Sequence, residues 1–459
     1  MEPILLIDFG STYTKITAVD VQNHLLLGTA ASYTTVETDI ADGLAEAIAQ
    51  LEKKIGKINF AKRLACSSAA GGLKMVACGL VPALTAKAAK LASLGAGAKL
   101  AGFYSYELTE DDIEEIMEIS PDILLLTGGT DGGNSKCILH NAKQLAEAPG
   151  DFPIIAAGNR SCSKQVMRIL EKKQVFLAEN VMPELDKLNI EPTRQKIRDI
   201  FLQQIIKAKG LSGISEIIDG IMMPTPAAVL SAMELLSKGC ENEPGLGDIM
   251  AVDVGGATTD VYSIADGTPK SDNVIYKGLP EPFAKRTVEG DIGMRYTADG
   301  TISAAGVLKA ASLAELNQSE IYEYVNLVKN NAGYLPQNER EKTLDFCLAA
   351  LAIETAVLRH AGSLEEVYTV HGRAYLQVGK DLTNVENIIL TGGALLHAER
   401  KSQLAAFAMF DENHPELLRP KRASCLVDEN YIIAAMGLLC GYYPITALSL
   451  MKSNLRVLN

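Results

Sequence analysis

The amino-acid sequence predicts an α/β protein with two halves of similar organisation, the first of which contains an inserted, doubly wound α/β module. Three observations support this fold class. Two segments with the same order of residue types open the two halves, strand and helix patterns alternate between residues 61 and 182, and a polar, Gly/Pro-containing linker occupies 239–247. The predicted domains are 1–60 plus 183–240, 61–182, and 241–459.

Each half opens with an apolar strand, an aspartate, a glycine turn with hydroxyl residues, and a second strand, which is a hairpin pattern. Glycine lets the backbone approach an anion, and Mg²⁺ prefers carboxylate and water oxygens. One such hairpin is as readily an ordinary glycine turn, but its repetition in both halves favours a triphosphate gripped from both sides. The candidate residues are Asp8, Gly10, Ser11, Thr12 and Lys15 in the first half and Asp253, Gly255, Gly256, Thr258, Thr259 and Asp260 in the second. Of these, Lys15 either faces phosphate or is an ordinary solvated lysine of a strand.

After a third strand at 24–32 and a helix at 39–54, strands and helices alternate through residues 61–182. This stretch begins with a strand at 63–66 and an Ala/Lys-rich helix around 74–92. Apolar strands such as 123–126 and 153–157 suit a parallel sheet covered on both faces. The loops 127–133 and 157–160 would then lie together at the ligand edge of that sheet. They form a binding site, or their glycines merely allow tight turns, and the sequence favours the second interpretation.

The remaining elements repeat in the two halves. A helix at 193–209 precedes a small-residue helix that starts at Pro226, and the second half closes with a comparable helix at 429–440. Before that closing helix, a buried strand ends in the turn Thr391-Gly392-Gly393. Each half therefore ends in a similar helix.

Composition restricts the function further. The net charge of −13 argues against a nucleic-acid partner, and no apolar run reaches the ~18 residues of a membrane span. The eight cysteines are scattered without metal or disulfide spacing, and no basic segment opens the chain, so we expect a cytoplasmic protein. The six histidines show no metal-ligand spacing, and only His140 and His397, which follow Leu-Thr-Gly-Gly turns, merit testing for a ligand contact.

The order of these motifs resembles the actin, sugar kinase and Hsp70 ATPase superfamily over residues 1–60 and 220–445. The resemblance implies two ribonuclease H-like lobes that bind ATP or ADP with Mg²⁺. It implies that Asp8 and Asp253 hold hydrated Mg²⁺, that Asp260 or Asp253 orients the attacking water, and that Gly392 and Gly393 contact adenosine. Strongly hydrolysing members carry a carboxylate where this chain has Thr225, so slow ATP hydrolysis is expected. Glu289 and Asp291 match positions that contact the nucleotide's sugar or base.

The whole pattern, including Leu126–Gly133 in the module and Thr287–Arg295 after the second hairpin, is similar to the glutamate mutase (methylaspartate mutase) accessory proteins, labelled GlmL or MutL-like. That resemblance implies an ATP-dependent reactivating factor, a chaperone for an adenosylcobalamin-dependent mutase. Its partners would be the mutase subunits and cobalamin itself, and oligomerisation stays open. Our hypothesis is that the 61–182 module contacts the client and helps exchange damaged cobalamin.

Three other functions share features with this pattern. A small-molecule kinase of the same fold would use an aspartate as the general base for a substrate hydroxyl. An actin-like scaffold would bind nucleotide mainly to control assembly. A dehydratase activator would need cluster-ligating cysteines, whose spacing is absent here.

Overall fold

The computed structural model describes residues 1–10, 13–33, 40–67, 73–95, 98–208, 219, 221–370, 372–396, 398 and 400–458. The chain divides into two compact units, Met1–Ser231 with Ala434–Thr446 and Ala232–Ile433 with Ala447–Asn459. Each unit contains a mixed sheet covered by helices, and the first unit also contains a parallel sheet. The predicted fold class is confirmed.

The first unit begins with an antiparallel meander and a helix, as the alternating apolar pattern predicts. These elements are β1 (Pro3–Phe9), β2 (Tyr13–Asp20), β3 (Leu25–Tyr33), α1 (Ile40–Ile55) and β4 (Lys62–Ser67). The sequence analysis placed the strand at 63–66 in the inserted module, and this is wrong. β4 pairs in parallel with β1, from Ile4 opposite Lys62 to Phe9 opposite Ser67, so it belongs to the first sheet.

The second sheet of the first unit is entirely parallel, with the strand order β6-β5-β7-β8-β9. This is the doubly wound order in which the first strand lies between the second and the third. Its elements are β5 (Leu73–Gly79), α2 (Pro82–Gly95), β6 (Ala98–Ser105), α3 (Glu110–Ile119), β7 (Ile123–Leu126), α4 (Lys136–Glu147), β8 (Ile154–Ala156), α5 (Ser163–Ile169) and β9 (Val175–Leu177).

The helix expected around 74–92 is wrong in its first part. Met75, Val76, Ala77 and Cys78 form the middle of β5 and are fully buried, and the helix begins only at Pro82. A strand buried on both faces carries no polar alternation, so its Ala- and Lys-containing sequence resembled a helix.

The last strand of the first sheet follows the parallel sheet in the chain. Beyond α6 (Glu191–Ala208), β10 (Ile221–Pro224) pairs in parallel with β4, and α7 (Thr225–Lys238) follows at once. The resulting order is β10-β4-β1-β2-β3. Side chains of both sheets, among them Ile7 and Ile123, share one apolar core, so the module is not an appended domain.

The second unit repeats the meander and adds a helical layer and a small sheet. Its elements are β11 (Gly239–Cys240), β12 (Glu243–Pro244), β13 (Ile249–Val254), β14 (Thr259–Ile264), β15 (Val274–Lys277), β16 (Ala284–Glu289), α8 (Ala298–Ala305), α9 (Val307–Ala314), α10 (Gln318–Asn330), α11 (Glu339–His360), β17 (Ser363–Thr369), β18 (Gly372–Val378), β19 (Asn387–Thr391), α12 (Gly393–Leu396), α13 (Lys401–Ala406), β20 (Ser424–Asp428), most of α15 (Pro444–Asn454) and β21 (Leu455–Val457). Between β20 and α15, the chain returns to the first unit with α14 (Ile433–Leu439).

The main sheet of the second unit has the order β16-β14-β13-β19-β20-β21, which repeats that of the first sheet with one added strand. The buried helix α11 lies against this sheet in the unit's apolar core. Residues 434–446 belong to the first unit, although the sequence analysis assigned all of 241–459 to the second half. The reason is a close helix crossing: a Cβ atom on Gly437 of α14 would lie 1.9 Å from the Ala228 carbonyl oxygen of α7.

Among the described residues, none of the helices combines the length and apolarity needed to span a lipid bilayer. All eight cysteines are free thiols.

Candidate functional site

The carboxylate of Asp8, at the end of β1, lies in a buried polar cluster. Thr225 Oγ1, at the start of α7, donates a 2.6 Å hydrogen bond to Asp8 Oδ1, and the Cys66 thiol donates to the same oxygen at 3.5 Å. Burial, followed by the charge of Asp8, raises the pKa of Cys66 well above its usual value, so this group stays a thiol donor. The Lys15 ammonium lies 3.9 Å from the other oxygen, Asp8 Oδ2. Asp8 is therefore oriented by three neighbours.

The hairpins of the two units have the same geometry. The Gly10 amide donates to the Tyr13 carbonyl at 3.1 Å, and the Gly255 amide donates to the Thr258 carbonyl at 2.9 Å. Asp8 lies directly opposite Lys15 across the first hairpin, in the same register that places Asp253 opposite Asp260 in the second. The two hairpins thus share this backbone hydrogen bond and their aspartate but differ in the charge facing that aspartate.

Asp260 is held by a buried arginine. Arg286 of β16 donates from Nε at 2.7 Å and from its terminal nitrogen at 2.6 Å to Asp260 Oδ1. Burial lowers the pKa of Arg286, but the charge of Asp260 and contact with Tyr262 outweigh burial, so the pKa is raised overall. This pair compensates the charge of Asp260. Asp253, which faces it across the hairpin, is consequently the better candidate to orient water.

The two threonines predicted to bind phosphate in the second hairpin, Thr258 and Thr259, point to different faces of the strand. Thr258 lies on the face of Asp260, with its hydroxyl 3.5 Å from Asp260 Oδ2. Thr259 is fully buried, and its hydroxyl donates to the Ile292 carbonyl at 3.0 Å. The prediction that Thr259 binds phosphate is therefore wrong, because successive strand residues point to opposite faces. Ser11 and Thr12 of the first hairpin lie outside the described residues.

The turn at Gly392 packs directly on the second hairpin. Gly392 has φ +111°, and a Cβ atom there would lie 2.7 Å from Asp253 Oδ1 and 2.4 Å from the Val254 carbonyl oxygen. The preceding Thr391 donates its hydroxyl to the buried Asp428 at 3.2 Å, and Asp428 also accepts from the Ile432 and Ile433 amides. The turn is thereby fixed from both sides.

A cavity of about 470 Å³ opens beside this turn, within the second unit. Its walls combine the aliphatic and aromatic surface of helix α11 with cationic side chains. Arg400 places its guanidinium 3.9 Å from the centre of the Phe346 ring, and Arg295 pairs with Asp345 through two contacts of 2.8 and 3.3 Å. A cavity of this size, which offers stacking surfaces together with charged and polar side chains, suits a nucleoside. The lining residues are Met294, Arg295, Leu335, Pro336, Glu339, Lys342, Thr343, Asp345, Phe346, Ala349, Gly393, Ala398 and Arg400.

The cavity is joined to the glycine turn of the second hairpin by backbone hydrogen bonds. The Met294 amide donates to the Gly255 carbonyl at 3.1 Å, and the Arg295 amide donates to the Gly256 carbonyl at 2.8 Å. Gly393 lines the cavity itself. Gly255, Gly256 and Gly393, which the sequence analysis proposed as ligands of different parts of one nucleotide, are therefore brought together in this unit.

Other sequence candidates lie elsewhere. Glu289 and Asp291 both pair with Arg359, at 2.6 and 3.5 Å, and neither lines the cavity. The His140 ring contacts the Leu108 carbonyl through Nε2 at 3.0 Å, which is a structural role. His397 lies outside the described residues.

Several site residues, among them Phe346, were missed by the sequence analysis. Arg286, Lys342 and Arg400 carry no local motif. The part of the chain that the structure describes contains no group of three or more His, Cys, Asp or Glu residues that could hold a metal ion. Single aspartates such as Asp8 and Asp253 nevertheless fit Mg²⁺, which retains several waters and binds phosphate oxygens directly.

The repeated five-strand order, the paired Asp-Gly hairpins and the nucleoside-sized cavity define a protein of the actin, sugar kinase and Hsp70 ATPase fold class. A family model described as MutL protein matches residues 4–455. Protein MutL of Clostridium tetanomorphum is 48% identical over 459 residues, which cover 99% of each chain. The chain therefore belongs to the MutL protein family, and the resemblance drawn from its motifs is confirmed.

Solved structures with detectable similarity are far more distant in sequence. The nucleotide-free diol dehydratase-reactivating factor is 11% identical, covers 96% of this chain and 100% of its own, and has a TM-score of 0.35. Component A of Acidaminococcus fermentans (R)-2-hydroxyglutaryl-CoA dehydratase is 10% identical, with coverages of 97% and 100% and a TM-score of 0.32. Plasmodium falciparum glycerol kinase with ADP is 11% identical, with coverages of 100% and 94% and a TM-score of 0.35. These scores are too low to carry a functional argument.

Proposed function

We propose that this protein is an ATP-dependent reactivating factor for an adenosylcobalamin-dependent mutase, with ATP hydrolysis driving release of damaged cobalamin. The observation that carries the nucleotide part is the continuity between the Gly255-Gly256 turn and the cavity beside Arg295 and Arg400. The client class rests on membership of the MutL family, whose motif pattern resembles glutamate mutase accessory proteins.

In this proposal the nucleoside occupies the 470 Å³ cavity and its phosphates extend toward the second hairpin. Backbone amides of the glycine turn donate to phosphate oxygens, for which glycine is suited because it allows close approach. The Phe346 ring and the Arg400 guanidinium, 3.9 Å apart, supply planar surfaces for the base.

Asp8 in the first unit and Asp253 in the second are assigned the same task, which is to hold hydrated Mg²⁺. When bound, Mg²⁺ neutralises charge on the phosphates. Asp253 also orients the attacking water, because Asp260 is compensated by Arg286. Thr225 is a hydroxyl rather than a carboxylate and is occupied with Asp8, so no second base lies there and slow hydrolysis is expected.

The parallel sheet β5–β9 is the proposed client-binding region. It shares a core with the Asp8-bearing sheet, so a change around Asp8 can bias the position of its loops. The shared core also makes deletion of the module unsuitable as a test. Exposed side chains on its surface, such as Tyr106 at 61% and Leu177 at 48%, are better sites for substitution.

The test is recovery of an adenosylcobalamin mutase that has been inactivated with cyanocobalamin. Wild-type protein with Mg-ATP and fresh coenzyme should restore activity, whereas Asp253→Asn should bind the client without restoring it. ATP turnover that requires a small-molecule hydroxyl acceptor would instead indicate a kinase. Nucleotide-dependent sedimentation without mutase recovery would indicate a scaffold, and either result would reject the proposal.

A further inference from the structure

A second cavity lies at the carboxyl edge of the parallel sheet, in the first unit and apart from the nucleotide site. It has a volume of about 250 Å³ and is lined by the segments that follow β5, β7 and β9. β5 and β7 are the neighbouring strands on either side of the point where the strand order reverses. In open parallel sheets, ligands bind at this point, outside the carboxyl ends of the strands.

The loop after β7 is held rigidly by two buried asparagines from neighbouring strand ends. Asn180 donates to the Gly129 carbonyl at 3.1 Å and to Asp131 Oδ1 at 2.9 Å. Asn159 donates to the Gly133 and Asn134 carbonyls at 3.1 and 3.2 Å. The cavity wall formed by this loop is therefore preorganised rather than shaped by whatever enters it.

In this loop, three consecutive backbone carbonyls accept hydrogen bonds, whereas the backbone amides of the same residues have no acceptor among the described residues. The carbonyls of Gly128, Gly129 and Thr130 each accept a hydrogen bond, from the Asn159 amide, the Asn180 side chain and the Gly133 amide. The amides of the same three residues donate to none of the described residues. Gly128 is buried and all three residues line the cavity, so three consecutive amides without an acceptor among the described residues lie at the wall of a small, partly open cavity.

The sequence analysis favoured a purely structural role for these glycines. Close packing does explain them in part, because a Cβ atom on Gly129 would lie 2.0 Å from the Asn134 carbonyl oxygen. Packing does not explain the cavity or the unused donors. The carboxylate of Asp131 in the same loop does not oppose an anion strongly, because it accepts from the Arg160 amide at 3.0 Å and lies 3.5 Å from the Arg160 guanidinium.

We propose that this cavity binds a small organic anion, in which a carboxylate or phosphate group accepts from the Gly128, Gly129 and Thr130 amides. Apart from Asn134 and Asn180, the remaining wall is apolar, so the rest of the ligand is a short aliphatic body. Its volume is below that of drug-sized pockets, which limits the ligand to a small metabolite. The apolar lining consists of Leu80, Val81, Val181, Met182 and Leu185. This site is independent of the proposed nucleotide function.

The chain contains no tryptophan, so a single introduced tryptophan reports on the cavity alone. Leu185 lines the cavity and is 69% exposed, which makes Leu185→Trp a tolerable substitution at its mouth. The matched control is Leu177→Trp, at a 48% exposed position on β9 that does not line the cavity. The probes are butyrate, butyl phosphate and butylamine at equal ionic strength.

We expect a saturable change in Leu185→Trp emission with butyrate, butyl phosphate or both, and none with butylamine or in Leu177→Trp. A response to only one of the two anions would show whether the site prefers a carboxylate or a phosphate group. In the Leu185→Trp background, Thr130→Glu should weaken binding at least tenfold by placing a negative charge at the donors, whereas Thr130→Gln should keep it within about threefold.

Thermal shifts of the wild-type protein with the same three compounds provide a measurement that needs no variant. The absence of any saturable response to either anion in both measurements would overturn the proposal. An equal response to butylamine, or binding that survives Thr130→Glu, would do the same. None of these outcomes depends on ATP, so failure here is distinguishable from failure of the reactivation proposal.

Discussion

The hydroxyl of Thr225 donates a 2.6 Å hydrogen bond to Asp8 Oδ1, which joins the first residue of α7 to the end of β1. These residues lie 217 positions apart in the chain. The contact links the proposed Mg²⁺-binding carboxylate to the start of a helix that crosses α14 at Gly437. Side chains at position 225 therefore act on Asp8 directly.

Removing this hydroxyl should weaken Mg-ATP binding. A hydrogen bond to a charged group contributes about 1.5–3 kcal/mol, so Thr225→Val, which leaves Asp8 less well oriented, should raise the Kd for Mg-ATP about tenfold. Thr225→Ser retains the donor and should behave as wild type. Calorimetric titration of all three proteins measures this, and equal affinities would show that the contact is only structural.

A carboxylate at position 225 should be poorly tolerated. Thr225→Asp would place two carboxylates within hydrogen-bonding distance, so the pKa of one of them would be raised in the folded state. The folded variant then binds more protons than the unfolded chain, and its stability falls as pH rises through that pKa. Urea unfolding should show a larger loss relative to wild type at pH 8 than at pH 5. A pH-independent difference would contradict this.

Replacement by asparagine should affect mainly stability at Asp260 and mainly ATP turnover at Asp253. Asp260→Asn leaves the buried Arg286 without its carboxylate, which should cost about 3–5 kcal/mol of unfolding free energy. Asp253→Asn removes one of two facing carboxylates and should cost under about 1 kcal/mol, while abolishing Mg²⁺-dependent ATP turnover. Denaturant titrations and ATPase assays on both variants decide this. Normal turnover in Asp253→Asn would reject the site assignment.

The adjacent glycines of the turn after β19 provide a matched pair. Gly392→Ala combines a φ of +111° with overlap against Val254 and Asp253, so we expect a loss of about 1–3 kcal/mol and a thermal midpoint lowered by several degrees. A Cβ atom on Gly393 would have no heavy atom within 4 Å. Gly393→Ala should therefore change the midpoint by less than about 2 °C. Similar losses in both variants would mean that helix α12, rather than the contact with Asp253, sets the requirement.

The buried Lys380 should make stability depend on pH. Its ammonium donates to the Phe283, Pro282 and Ser263 carbonyls at 2.6, 3.0 and 3.2 Å. Burial, followed by repulsion from Lys285, lowers the pKa of Lys380 to about 7. The unfolded chain then binds more protons above pH 7, so stability should rise with pH from 7 to 9, by roughly 2 kcal/mol from this group.

Replacing Lys380 with methionine removes the titrating group and keeps a long apolar side chain. Lys380→Met should show a flatter stability profile than wild type between pH 7 and 9, as measured by urea unfolding. Equal slopes would show that Lys380 keeps an ordinary pKa in the folded protein. The exposed Lys277, substituted in the same way, serves as the control, because its side chain is 60% accessible.

Sequence reasoning predicted the parts of this fold that depend on local chemistry. The hairpins at Asp8 and Asp253 were recognisable because a strand, an aspartate and a glycine turn lie within one short segment. The strand β5 was not, because burial of Met75 and Val76 on both sides of the sheet overrode the helix propensity of neighbouring alanines and lysines. Thr259 was misassigned because adjacent strand residues point to opposite faces of the sheet. Which of Thr258 and Thr259 lies on the face of Asp260 depends on how β14 pairs with its neighbours, and the sequence does not give that register.

The candidate site was predictable as a set of backbone turns and unpredictable as a set of side-chain partners. Arg286 reaches Asp260 from a strand 26 residues away, whereas Phe346 lies in α11 and Arg400 lies just before α13. Such contacts depend on the tertiary arrangement of β16, α11 and the turn after β19. No local spacing in the chain indicates them.

The strand β10 pairs with β4, although the whole parallel sheet and α6 lie between them in the chain. During synthesis from the N-terminus, the meander and β4 emerge with one edge uncovered until residue 224 has left the ribosome. Long-range strand pairing is slow, and uncovered edges favour aggregation. The rate at which newly made chains reach the native state should therefore depend on how quickly the intervening parallel sheet folds, because only a folded sheet brings β10 alongside β4.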